Sequence, residues 1–148
     1  TATGVYLGGT GAANYLDDYE EGTFTPDFDV EGSGDMTVST QVGFYTKVGN
    51  MVHVQGKIDI TGVTGAGSGD AWEIKDLPFT AASDSGVTTI PITWRATGLA
   101  LSANALTGFI AAGNNSGRME VFNGTSTVNS STYAQNGTSV IFSITYRI

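Results

Sequence analysis

The chain has 148 residues, 40% of them hydrophobic, so it is long enough for one domain with a core and too short to predict two. Its net charge of -8 is unsuited to a phosphate backbone, and we expect no nucleic-acid partner. The absence of cysteine excludes disulfides and cysteine metal sites, and no apolar run is long enough to predict insertion into a membrane.

The amino-terminal part of the chain is rich in small residues and then in acids. Residues 1–13, TATGVYLGGTGAA, predict a Gly-rich lead-in or linker, and residues 14–148 predict the domain itself. We interpret the acidic segment after the lead-in as a solvated strap rather than a core strand; a cation site or a basic partner is the alternative. The following TFTPDF predicts an edge strand, because Pro26 lacks the N–H that a central strand donates.

Residues 42–60, VGFYTKVGNMVHVQGKIDI, predict a β-hairpin with its turn at Gly49-Asn50. The second strand alternates, so that one face carries the apolar residues Val52, Val54, Ile58 and Ile60. A two-residue loop would place Tyr45 on the face of Val54, whereas a three-residue loop with a bulge would place Phe44 there. In both cases an aromatic ring lies on the second face, so we expect that face to be covered by another sheet or another subunit.

The rest of the chain predicts further strands. Residues 71–74 predict a short strand, 87–95 an edge strand or a bulged one, and 107–112 with 119–122 a second hairpin around GNNSGR. Residues 139–148 predict a last strand with Val140, Phe142, Ile144, Tyr146 and Ile148 on one face. About eight strands with frequent turn signals are typical of an antiparallel β-sandwich of the jelly-roll kind.

The sequence does not indicate catalysis. The single histidine, His53, lies on the polar face of a predicted strand with no marked partner. There is no nucleophile elbow, phosphate loop or dinucleotide fingerprint, and no pair among the 14 acids stands out. We therefore expect a protein that is not an enzyme and that has no cofactor and no metal site.

Side chains suited to binding sugars occur near the polar loops. Trp72 and Tyr133 lie beside Gly- and Ser-rich loops and are predicted to be exposed stacking platforms, whereas Trp94 is assigned to the core or a subunit interface. The loop of the second hairpin offers amide and guanidinium groups. The receptor or glycan candidates are Trp72, Asn114, Asn115, Arg118 and Tyr133, and the candidates for a subunit interface are Phe44, Tyr45 and Trp94.

Four motifs occur in order along the chain: LDDYEEGTFTP at 16–26, GFYTKVGNMVHVQG at 43–56, LPF at 77–79 and FSITYRI at 142–148. Together they resemble a C-terminal domain found in the tail fibres and other virion-surface proteins of tailed bacteriophages. The resemblance spans nearly the whole chain. Residues 99–128 match only loosely, which is where a variable recognition surface is expected.

The resemblance implies a β-sandwich that is usually trimeric and is structural and adhesive rather than catalytic. We therefore expect an extracellular, virion-located tip domain of a homotrimeric tail fibre, which contacts other virion proteins and binds a host-surface receptor, in particular a glycan. A capsid-decorating or purely structural virion protein is one alternative. A carbohydrate-binding module of a secreted bacterial enzyme is another and predicts a monomer, and a carboxylate-dependent hydrolase is a third.

Overall fold

The computed structural model describes residues 4–16, 18–30, 35–64, 71–84, 88–89, 105–122, 127–129 and 136–148. Within these ranges the regular structure consists of strands and one short 3-10 turn at Ala12–Asn14. The strands are β1 (Val5–Tyr6), β2 (Tyr15–Leu16), β3 (Tyr19–Phe24), β4 (Asp27–Val30), β5 (Asp35–Val48), β6 (Met51–Thr64), β7 (Trp72–Lys75), β8 (Thr88–Thr89), β9 (Ala105–Ile110), β10 (Gly117–Phe122), β11 (Thr127–Asn129) and β12 (Ser139–Arg147). No helix in the described ranges has the length and apolar character needed to cross a membrane.

Two antiparallel sheets form the body of the domain. Sheet I has the order β12-β6-β5-β3, and sheet II has the order β4-β7-β10-β9-β8 with β11 beside β10. Strands β1 and β2 pair separately as a small hairpin near the amino terminus. The prediction of an all-β antiparallel sandwich is confirmed.

One hydrophobic core lies between the two sheets. Its members on sheet I are the alternating apolar residues of β6 and β12, which are predicted from sequence. Sheet II contributes the apolar residues on the inner faces of β4, β7, β9 and β10. The fully buried side chains are Val52, Val54, Ile58, Ile60, Val140, Phe142, Ile144 and Tyr146 from sheet I, and Phe28, Val30, Trp72, Ile74, Ile110 and Met119 from sheet II.

The turn between β5 and β6 decides which aromatic ring faces the core. Val48 pairs with Met51, so the loop has two residues, and Gly49 takes a positive φ of 57°, as the first central residue of a type II′ turn requires. In this register Tyr45 lies opposite Val54 on the inner face. Phe44 therefore points outward, where 57% of it is exposed.

The chain crosses from sheet I to sheet II at Thr25-Pro26. Strand β3 is the edge of sheet I and β4 is the edge of sheet II, and the buried Pro26 lies between them, where no ladder N–H is needed. Part of the acidic segment thus belongs to an edge strand rather than to a separate strap. Its side chains Glu20 and Glu21 are exposed to solvent.

Candidate functional site

The first two motifs of the sequence meet as neighbouring strands. Strand β3 pairs with β5 so that Gly22 lies opposite Tyr45, and a Cβ atom at Gly22 would lie 2.8 Å from the Tyr45 ring. The Tyr45 hydroxyl donates a hydrogen bond of 2.5 Å to Glu20, and the Lys47 ammonium pairs with Asp18. The spacing of residues within both motifs is therefore explained by the packing of β3 against β5.

The LPF motif covers this same region. Leu77 is buried, and the Phe79 ring meets the Tyr45 ring edge to face with 5.3 Å between centroids. The Lys47 Nζ atom lies 5.9 Å from the Phe79 centroid, within the range of a cation–π contact.

Tyr146, from the fourth motif, forms hydrogen bonds with the backbone of the LPF motif. Its hydroxyl donates a hydrogen bond of 3.0 Å to the Phe79 carbonyl and accepts one of 3.3 Å from the Phe79 N–H. Burial raises the pKa of Tyr146 to about 12. The four motifs thus form one contact network.

The outer face of sheet I carries exposed apolar side chains, and we call it the apolar face. Tyr19, Val48 and Met51 lie in one row across β3, β5 and β6, and Val42 and Phe44 lie further along β5. Each of the five is between 43% and 58% exposed. A depression of about 380 Å³ opens beside Phe44, between β3 and β5. An exposed apolar patch with a polar rim is typical of an interaction surface.

His53 lies on the apolar face, partly buried, and its Nδ1 atom is 2.9 Å from the Thr145 hydroxyl oxygen. Its cross-strand neighbour on β5 is Thr46. Within the described residues, His, Asp and Glu do not form a group of three or more that could hold a metal ion.

The outer face of sheet II is charged instead. Lys75 donates a hydrogen bond of 2.5 Å to Asp29, which raises the pKa of Lys75. Burial is the largest single effect on Asp29 and raises its pKa, but the hydrogen bond from Lys75, the hydrogen bond from the Val30 N–H and the Lys75 charge together outweigh it, so the pKa of Asp29 is lowered. Arg118 Nε lies 3.3 Å from the Glu120 carboxylate. The face therefore pairs acids with bases.

A pocket of about 150 Å³ lies on this charged face, and we call it the sheet II pocket. Its lining residues come from β7, from β9 and β10, and from the loop that joins the last two: Glu73, Phe109, Ala111, Asn114, Ser116 and Arg118. Arg118 lies between Glu73 and Phe109 in the strand register. Because Gly108 and Ile110 are buried, alternation places Phe109 on the outer face.

The structure brings together two of the five receptor candidates. Asn114 and Arg118 line the pocket, and Asn115 is exposed in the same loop. The loop also has a structural role, because the carbonyl of Asn114 accepts a hydrogen bond from the Ala81 N–H and that of Asn115 accepts one from the Leu77 N–H. Tyr133 lies outside the described residues.

The expectation that Trp72 is exposed is wrong. Trp72 is 0% exposed and packs edge to face on Phe28 with 5.5 Å between ring centroids. The signal was present in the sequence, because Trp72 and Ile74 alternate with Glu73 and Lys75 and must share a face. Trp72 is therefore a core residue and not a stacking platform.

Two of the candidates for a subunit interface lie on opposite faces of sheet I. Phe44 lies on the apolar face, whereas Tyr45 points inward and packs on Phe79, so Tyr45 is corrected to a core-side position. Trp94 lies outside the described residues. Sequence reasoning missed Phe109 and Glu73 as pocket residues; Phe109 adjoins Ile110, and two adjacent apolar residues do not show which one faces outward.

The fold is similar to part of a known protein. The crystal structure titled "Crystal structure of Dettilon tailspike protein (gp208)" matches with a TM-score of 0.74 and 19% sequence identity over 87% of this chain. The chain spans 24% of the length of that protein. No family model matches the chain, and no curated protein matches it. The likeness is therefore one of fold.

Proposed function

We propose that the chain is a virion-surface domain of a tailed bacteriophage, which assembles as a homotrimer on a tail fibre or tailspike and adheres to a host-surface glycan. The observation that carries this proposal is the fold shared with a segment of a tailspike protein. The four motifs that resemble tail-fibre domains add support, because the structure packs them into one network.

The apolar face supports the homotrimer. Phe44, Val42 and Met51 are large apolar side chains that a monomer would leave in water. Because each side chain is already about half buried, covering the rest of it in a subunit contact would contribute roughly half of the 1.5–3 kcal/mol that burial of a fully exposed side chain gives. In a chain with a net charge of -8, such a contact also has to overcome repulsion between like-charged copies.

The assembly is tested by light scattering on the purified chain and on Phe44→Lys. We expect a mass three times that of one chain for the wild type and a shift towards the monomer for Phe44→Lys, because a desolvated lysine opposes burial. Thr80→Lys, at an exposed position away from the apolar face, is the matched control and should remain trimeric. A monomeric wild type would contradict the proposal and favour a carbohydrate-binding module.

The adhesive role is tested with an array of purified bacterial surface polysaccharides as the probe. We expect the trimer to bind a subset of them and to leave their chain length unchanged, since we propose binding without turnover. Failure to bind any would favour a capsid-decorating or purely structural virion protein. Shortening of a bound polysaccharide, measured by size-exclusion chromatography, would indicate a hydrolase.

A further inference from the structure

The sheet II pocket combines the groups that recognise a sugar ring. Phe109 supplies an aromatic surface, on which the C–H face of a pyranose can pack. Arg118, Asn114 and Glu73 line the same pocket and provide donors and acceptors for hydroxyl groups. An apolar surface beside a few convergent polar groups is the usual composition of a small-molecule site.

The charges around the pocket favour an uncharged ligand. Arg118 faces Glu120 at 3.3 Å and lies opposite Glu73 in the register, so its positive charge is already balanced by two carboxylates. Further along the same face lie Asp29 and Lys75, which pair with each other. An acidic sugar would meet a net negative surface on a chain whose total charge is -8.

The size of the pocket limits the ligand to a single ring. Its volume of about 150 Å³ is well below the roughly 300–1,000 Å³ of sites that enclose a whole drug-sized ligand. The remainder of a polysaccharide would cross the open face of sheet II. We therefore expect millimolar affinity for an isolated monosaccharide, which corresponds to only about 4 kcal/mol of binding free energy.

We propose that the sheet II pocket is a glycan subsite for one uncharged hexopyranose unit, with Phe109 as the stacking ring and with Arg118 and Asn114 as hydrogen-bonding partners of the hydroxyls. This inference rests on the proposed adhesive function and adds the position of the site, the aromatic residue and the class of sugar. Trimeric display would raise the avidity of such a weak site by linking three copies.

The test is saturation-transfer difference NMR on the full chain, which detects millimolar ligands of large assemblies. The probes are methyl α-D-glucopyranoside, methyl β-D-galactopyranoside and N-acetyl-D-glucosamine as uncharged sugars, with D-glucuronic acid as the acidic contrast. We expect saturation of ring protons in at least one uncharged probe and a weaker signal from D-glucuronic acid. No signal from any uncharged probe, or a stronger signal from the acid, would overturn the proposal.

Variants then assign the signal to the pocket. Phe109→Leu keeps apolar volume but removes the flat ring, and Arg118→Gln removes the charge; we expect each to weaken binding about tenfold. Phe109→Tyr keeps the ring and should keep binding. Asn115→Ala is the matched control in the same loop, because Asn115 does not line the pocket and acts there through its backbone carbonyl.

The polysaccharide array separates failure of this inference from failure of the proposed function. If Phe109→Leu remains a folded trimer and binds the array as the wild type does, the glycan site lies elsewhere and the inference is overturned while the adhesive function stands. If the wild type binds neither the array nor the monosaccharides, both are overturned. Loss of array binding in Phe109→Leu with retention in Asn115→Ala supports both.

Discussion

Gly56 lies at the centre of sheet I, where an added methyl group has no space. It is on β6 between Phe142 of β12 and Gly43 of β5. A Cβ atom at Gly56 would lie 2.3 Å from the Phe142 ring and 2.9 Å from the Val42 carbonyl oxygen. Phe142 is 1% exposed and belongs to the core, so its ring cannot move away freely, and the carbonyl belongs to the backbone of β5.

The expected cost of Gly56→Ala follows from these contacts. Overpacking of a close-packed core costs about 1–3 kcal/mol. Alanine also restricts the unfolded chain, which offsets about 0.4–1 kcal/mol of that cost. We therefore expect a net destabilisation of about 1–2 kcal/mol, measured as a lower urea midpoint at one fixed protein concentration, because the stability of an oligomer depends on concentration.

Gly62→Ala is the matched control, because Gly62 lies on the same strand and its nearest contacts for an added Cβ are Thr37 side-chain atoms at 3.3 and 3.4 Å. We expect a change within about 0.5 kcal/mol there. Phe142→Leu should relieve the clash, so the double variant with Gly56→Ala should lose less stability than the sum of the two single variants, by roughly 0.5–3 kcal/mol. Equal effects of the two glycine substitutions, or an additive double variant, would refute the steric argument.

Three further substitutions test the contact network and the titrating groups. Tyr146→Phe should cost about 1–3 kcal/mol, because Phe79 loses its hydroxyl partner. It should also reduce the loss of stability that the wild type shows between about pH 10 and pH 12, because the pKa of Tyr146 is raised to about 12 and the folded chain releases this proton at higher pH than the unfolded chain does. Asp59→Asn should make the urea midpoint fall less between about pH 4 and pH 2. Hydrogen bonds, chiefly from Lys57, lower the pKa of Asp59 to about 2, so its stabilising effect in the wild type is lost as the pH falls through that value. Lys47→Met keeps the apolar stem but loses the contacts to Asp18 and the Phe79 ring; we expect a lower thermal midpoint, equivalent to about 0.5–1 kcal/mol, and a smaller difference in 1 M NaCl.

The core of sheet I is predictable from sequence because its strands alternate cleanly. Val52 to Ile60 on β6 and Val140 to Tyr146 on β12 have one apolar face each, and the structure buries those faces. The assignment of Phe44 and Tyr45 is different, because it depends on whether the turn has two or three residues. Gly49-Asn50 is compatible with both; in the structure the two-residue turn places Tyr45 opposite Val54 and against Phe79, which is distant in sequence.

The site is less predictable than the core, because a pocket is made by neighbours across strands. Asn114 and Arg118 could be nominated from a polar loop, but Glu73 reaches them only because β7 pairs with β10. That pairing joins segments more than forty residues apart and has no local signal. Trp72 shows the converse: a local signal exists, because the alternation within its four-residue strand predicts burial, although the adjacent Gly-rich loop suggests exposure.

The two outer faces of the sandwich have opposite chemistry, and this difference allows assembly and recognition to be separated by mutation. The apolar face centres on Phe44, whereas the outer face of sheet II carries paired charges around Phe109. Neither ring belongs to the hydrophobic core that the described residues form. If sheet I joins copies and sheet II binds sugar, Phe44→Lys should reduce the mass of the assembly but leave monosaccharide binding by each chain unchanged. Phe109→Leu should leave the mass unchanged but weaken monosaccharide binding. Because three linked sites bind a polymer more tightly than one, Phe44→Lys should nevertheless weaken binding to the polysaccharide array. An array signal unaffected by Phe44→Lys, in a variant shown to be monomeric, would mean that the glycan is held by one chain alone and that the trimer has only a structural role.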